Sequence, residues 1–189
     1  MRKKRGSLLV ESTVVFSLVL MMLLIIYLTS LGQIKAESEM VSDDLVSSEL
    51  AAFKNIDKAN LGASANLNEI VISEPEEAFQ TFKKHLKLNL NIDDSFYPRN
   101  KFNFIKSKVD ILVFKIYNVR DNKDVEIYSY ENGHFTKEKK ANGRNVEITP
   151  KGNKVENTTI YAKIGYKINP IFKEKKYVIS EEEVDITKD

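Results

Sequence analysis

The sequence predicts an α+β protein: a long amino-terminal transmembrane and stalk helix, a short helix, and an antiparallel β-sheet of about five or six strands. Three observations carry this reading. Residues Ser12 to Gly32 are uncharged for 21 positions. Apolar residues recur at helical spacing around Phe79. After residue 109 the period changes to two, with Asn-Gly and Lys-Gly turns in between.

The first element is set by that uncharged run. As a helix it measures about 31 Å at ~1.5 Å per residue, enough to cross a bilayer core of about 30 Å. Arg2, Lys3, Lys4 and Arg5 precede it and keep this end cytoplasmic by the positive-inside rule, so the remainder is exported. Between tip and run stand Gly6, Ser7, Leu8-Leu9-Val10 and a lone carboxylate, Glu11. A charged residue at a membrane helix centre costs roughly 2.5–3.5 kcal/mol, and less towards the end. Glu11 therefore calls for a partner or a task.

From Gln33 to Leu61 the chain turns polar but keeps a stripe of Val41, Leu45, Val46, Leu50 and Phe53. The membrane helix is expected to run on into this stalk, softened at Gly32 and capped at Leu61-Gly62. The stripe is expected to pack on the protein's own sheet in preference to a neighbouring subunit. Ala63 to Asn68 reads as a linker. Pro75 then opens a helix of about 15 residues, with Glu76 and Glu77 at its start and Lys83, Lys84 and Lys87 towards its end. Its apolar face is Ala78, Phe79, Phe82, Leu86 and Leu90. Asp93 to Pro98 is a turn-rich break.

Strands are expected at Val109 to Val119, Val125 to Tyr130, His134 to Glu138, near Val146 to Thr149, at Ile160 to Ile168 and at Tyr177 to Ile186. Asn132-Gly133 is a type I′ hairpin signal. Asn142-Gly143 and Lys151-Gly152 mark further turns.

Composition excludes several classes of function. The tip holds four of the 29 basic residues, which leaves 25 against 27 acidic groups elsewhere. The basic balance thus belongs to the tip, and no basic stripe with interleaved aromatics points to nucleic acid. Without cysteine there is no disulfide, thiolate site or thiol nucleophile. His85 and His134 stand far apart in sequence, and the Asp43-Asp44, Asp93-Asp94 and Glu181-Glu182-Glu183 groups lack the oxygen spacing of an EF-hand loop. The glycines sit singly in turns, so no phosphate-cradling loop or nucleophile elbow is present. No enzyme, cofactor, metal or small-molecule substrate is expected.

Three readings of the amino terminus remain. A cleaved secretory signal would have a shorter apolar stretch and a small-residue cleavage site, which Ser30-Leu31-Gly32 and Ile34-Lys35-Ala36 match poorly. A plain signal anchor fits the tip and the span but gives no reason for Gly6 or Glu11. It leads to an alternative function, a single-pass extracellular binding domain that does not polymerise. The third reading takes in every feature. Basic residues, Gly6, Ser7-Leu8-Leu9-Val10-Glu11 and a long apolar helix resemble the class III signal of type IV pilins and pilin-like proteins.

Arg5-Gly6-Ser7-Leu8-Leu9-Val10-Glu11 looks most like the opening of TadE-like proteins, the minor pilin-like components of tight-adherence (Tad) pili. Thr159 to Phe172 followed by Tyr177 to Ile186 is similar to their closing strand, proline-bearing turn and final strand. Ser12 and Ser17 stand where many of these proteins carry an aromatic and a proline. The resemblance covers about residues 2–32 and 158–187. It implies insertion by the Sec pathway and cleavage between Gly6 and Ser7 by a membrane prepilin peptidase. It also implies packing of the apolar helix with other pilin-like subunits on a pilus assembly platform. The freed Ser7 ammonium would meet a Glu11 carboxylate. The expected organisation is a cytoplasmic leader at 1–6, a transmembrane helix at 7–32, an amphipathic stalk at 33–62 and an exported α+β domain at 63–189. The expected location is the cell membrane, or a pilus outside it.

Overall fold

The computed structural model describes residues 3–55, 70–120, 122–131, 133–170 and 174–186, with side chains from Val10 onward. The α+β class holds, with one long apolar amino-terminal helix, a second short helix and a five-stranded antiparallel sheet.

Helix α1 spans Lys3–Ala52, 50 residues without a break. Gly32 does not soften it; the surroundings there are open, and a single glycine costs a long helix only about 1 kcal/mol relative to alanine. The helix tightens into a 3-10 turn at Phe53–Asn55. There Asn55 Nδ2 donates to the Ala52 carbonyl at 3.3 Å and to Thr81 Oγ1 at 3.1 Å, tying the helix end to its neighbour. The expected cap at Leu61-Gly62 and the linker at 63–68 lie outside the described residues.

Helix α2 spans Pro75–Asn89, with proline in its first turn, Glu76 and Glu77 beside it and Lys87 in the last turn. Ala78, Phe79, Phe82, Leu86 and Leu90 are all buried, as their spacing requires. Asn89 reaches across to α1, donating to the Asp44 carbonyl and to Ser48 Oγ. Asp93 closes the following turn by accepting from the Ser95 and Tyr97 amides at 2.9 Å each.

The strands are β1 (Asp110–Val119), β2 (Val125–Glu131), β3 (His134–Lys140), β4 (Thr159–Ile168) and β5 (Lys176–Asp185). Their spatial order is β3-β2-β1-β4-β5, and every neighbouring pair is antiparallel. Gly133 has φ +87°, the left-handed conformation that the β2–β3 hairpin needs.

The expected strand near Val146 to Thr149 is not part of the sheet. That segment folds back on itself, with the Asn145 amide on the Val155 carbonyl at 2.8 Å and the Thr149 amide on the Asn153 carbonyl at 2.8 Å. Asn142, Asn145 and Gly152 all have positive φ, which curls the chain too tightly for a sheet strand. Val146 and Ile148 consequently face solvent.

Two apolar clusters sandwich the sheet. Both helices cover one face, where Val41, Leu45, Phe79, Phe82, Phe114 and Ile164 meet. On the other face Tyr117, Val119, Val125, Ile127 and Tyr161 are closed over by Val155 from the 141–158 loop. Because β4 is covered on both faces over most of its length, both odd and even positions are buried there, apart from half-buried Lys163 and exposed Lys167.

Candidate functional site

The amino-terminal segment carries every site residue expected from the sequence. Lys3, Lys4, Arg5, Gly6 and Ser7 form the opening turns of α1, while Arg2 lies outside the described residues. The backbone at Gly6 is helical. Glu11 sits on the helix surface, and its own face continues through Val15 and Val19, four and eight residues on.

The run beyond it is bare on all sides. Phe16, Leu20, Leu23, Leu24 and Leu28 are each more than half exposed. A helix that is apolar around its whole circumference has no face to give to water and requires an apolar environment. α1 is long and apolar enough to span a membrane. The last polar side chains of the uncharged run are satisfied within the helix, Thr29 Oγ1 donating to the Ile25 carbonyl at 2.8 Å and Ser30 Oγ to the Ile26 carbonyl at 2.6 Å.

The folded domain does not touch this segment until Ser30, where burial of α1 begins. From Glu11 to Ser30 is about 28 Å along the helix at ~1.5 Å per residue. Gly6, Ser7 and Glu11 are thus close to one another and remote from the sheet.

Further along α1 lies a group that sequence reasoning missed. Glu49 is fully buried, and neither carboxylate oxygen makes a hydrogen bond. Burial holds its carboxyl well above the usual carboxylate range, and the negative charges of Glu182 and Glu183 act in the same direction. The Ala162 amide opposes this from outside hydrogen-bonding geometry, and so does the Lys151 ammonium. Lys151 is itself engaged by Glu182 at 2.6 Å, and Ser42 donates to the other oxygen of Glu182. The signal for Glu49 was its place in the stripe, four residues after Leu45 and eight after Val41.

Fully enclosed, Glu49 can hold a proton but cannot meet a substrate. Among the described residues no group of three or more His, Cys, Asp or Glu is arranged to hold a metal ion. His134 is exposed at the start of β3 and His85 is half-buried on α2.

No protein-family model, curated protein or solved structure matches the chain.

Proposed function

We propose that the chain is a minor pilin-like protein of the TadE type. Residues 1–6 stay in the cytoplasm, a prepilin peptidase cuts between Gly6 and Ser7, and residues 7–32 pack with other pilin-like subunits at a pilus assembly platform. The sheet domain is displayed outside the cell. The chain catalyses nothing and needs no cofactor; its one reaction is its own cleavage, as substrate.

The observation that carries this reading is the spacing of Gly6, Ser7 and Glu11 ahead of a helix bare on every side. Cutting before the apolar segment leaves it attached as an assembly element. The new Ser7 ammonium and a Glu11 carboxylate then offset much of each other's desolvation, whereas either alone is penalised. The pair acts as a register device for neighbouring helices. Access to the scissile bond requires the first turn of α1 to unwind. Glycine is about 1 kcal/mol worse than alanine in a helix, so Gly6 lowers that cost.

Glu11→Ala tests the assembly role. The variant is expected to insert into the membrane like the parent chain but to be lost from filaments. Incorporation at the parental level would contradict the role given to Glu11.

A further inference from the structure

The sheet sets one end of the domain against the apolar half of α1. Glu49 lies by Ala162, and Tyr166 lies by Ser38, so β4 and α1 run in opposite directions. Four strand residues, about 13 Å, match eleven helix residues, about 16 Å. Continuing the same way brings Asn169 to the level of Ser30 and Gln33, and these residues share a groove with Phe102 and Phe104. The 99–107 loop is pinned at this end. Ile105 bridges to Ile168, the Lys106 amide donates to the Lys167 carbonyl at 2.7 Å, and the Lys167 amide donates to Ser107 Oγ at 2.8 Å.

Ser30, the first residue of α1 that the domain buries, is two residues inside the uncharged run that ends at Gly32. With that run in the bilayer, the domain has no stalk between itself and the membrane. Its lower end rests at the surface.

At this end Phe102 is 85% exposed, the highest value among the large apolar side chains of the described residues. The Lys101 ammonium sits 5.2 Å from its ring centroid, and Lys106 Nζ donates to the Lys101 carbonyl at 2.7 Å. From Ser95 to Val109 there are four basic residues and no acidic one. Glu37, across the groove on α1, is the acidic residue that lines it. An exposed aromatic set among lysines fits the boundary between acyl chains and anionic headgroups, where the ring is buried and the ammonium groups meet phosphate.

We infer that the Arg99–Ser107 loop is a second membrane contact, in which Phe102 enters the outer headgroup layer and Lys101 and Lys106 engage anionic lipid phosphates. It rests on residues 12–32 spanning the bilayer. The contact fixes the tilt and rotation of α1 and its packed domain relative to the bilayer, which one spanning helix alone would leave free.

The chain has no cysteine, so a single introduced one can carry a polarity-sensitive dye. Three full-length variants, Phe102→Cys, Val146→Cys and Leu20→Cys, are reconstituted in phosphatidylcholine vesicles with roughly one third phosphatidylglycerol. Val146 is 71% exposed in the 141–158 loop and carries the same dye, so the dye's own affinity for lipid cancels. The label at 102 is expected to be blue-shifted and quenched at least about two-fold more than that at 146 by lipids bearing a quencher near the headgroup. Adding Lys101→Glu and Lys106→Glu should reduce that quenching. The label at 20 should be quenched from the acyl-chain depth. A label at 102 matching that at 146, with 20 still quenched, overturns the inference and leaves the span intact. Failure at 20 overturns both. A label at 102 shielded from water but not quenched by lipid overturns it in favour of a protein neighbour, and unchanged quenching in the double-Glu variant overturns the part given to the lysines.

Discussion

Asn118 closes a two-bond clamp on the backbone of Ile72: its Oδ1 accepts from the Ile72 amide and its Nδ2 donates to the Ile72 carbonyl, each at 2.9 Å. Both residues are buried, so the clamp satisfies two groups that water cannot reach. It ties the chain leading into α2 to the middle of the sheet. Asn118→Ala would leave both groups unpaired, at about 1–3 kcal/mol for each buried group left without a partner. A loss of about 2–6 kcal/mol in denaturant unfolding of the detergent-solubilised protein is expected. Leaving the midpoint unchanged would show that Ile72 finds other partners.

Glu49 is expected to work against stability. Its folded carboxyl is raised above its ordinary value by burial, so between those two values the folded state binds more protons than the unfolded one. Its contribution is then most favourable at low pH and is lost progressively as pH rises above about 4.5. Glu126 and Glu181, held low by Arg120 and Lys163 despite some burial, act with the opposite sign. The difference between Glu49→Gln and the parent therefore isolates the effect. The variant should gain on the parent as pH rises from 4 to 8, and Glu49→Leu should be about 1–3 kcal/mol more stable at pH 7. A difference that does not change with pH would mean that Glu49 is solvated.

Phe79 is the hub of the aromatic cluster under α2. Its ring lies 4.2 Å from Tyr130, 5.0 Å from Phe114 and 5.4 Å from Phe135, centroid to centroid. Phe79→Ala is expected to cost about 3–5 kcal/mol through lost burial and a residual cavity. Phe102→Ala, at an exposed position, should change stability in detergent by less than about 0.5 kcal/mol. Equal effects would contradict the core assigned here.

Periodicity made much of this fold legible. The stripe of α2 was readable because all five apolar positions lie on one face and nothing polar competes. The five sheet strands were readable from alternation and turn residues. The stripe of α1 was read partly in the wrong phase. Val41, Leu45 and Phe53 are buried, but so are Ser48 and Glu49, while Leu50 is 51% exposed. Helical geometry places 41, 45, 48 or 49 and 52 on one face, and here residue type disagreed with position. Ser48 is buried because it bonds the Asp44 carbonyl and Asn89. Glu49 gains no such partner. The Val146 to Thr149 segment alternated like a strand, but its flanking Asn and Gly residues curl it into a loop. The amino-terminal motif was plain in sequence because it is local. The Phe102 loop was not, because its meaning depends on which end of the sheet lies beside Ser30.

The amino terminus of the protein extracted from its native membrane tests the pilin-like reading most directly. Intact-mass measurement is expected to find a chain that begins at Ser7, with Gly6→Val retaining the leader while still inserting. A native polypeptide that keeps Met1 to Gly6, with no form starting at Ser7, would contradict cleavage. It would leave a tethered extracellular domain in place of a pilus component.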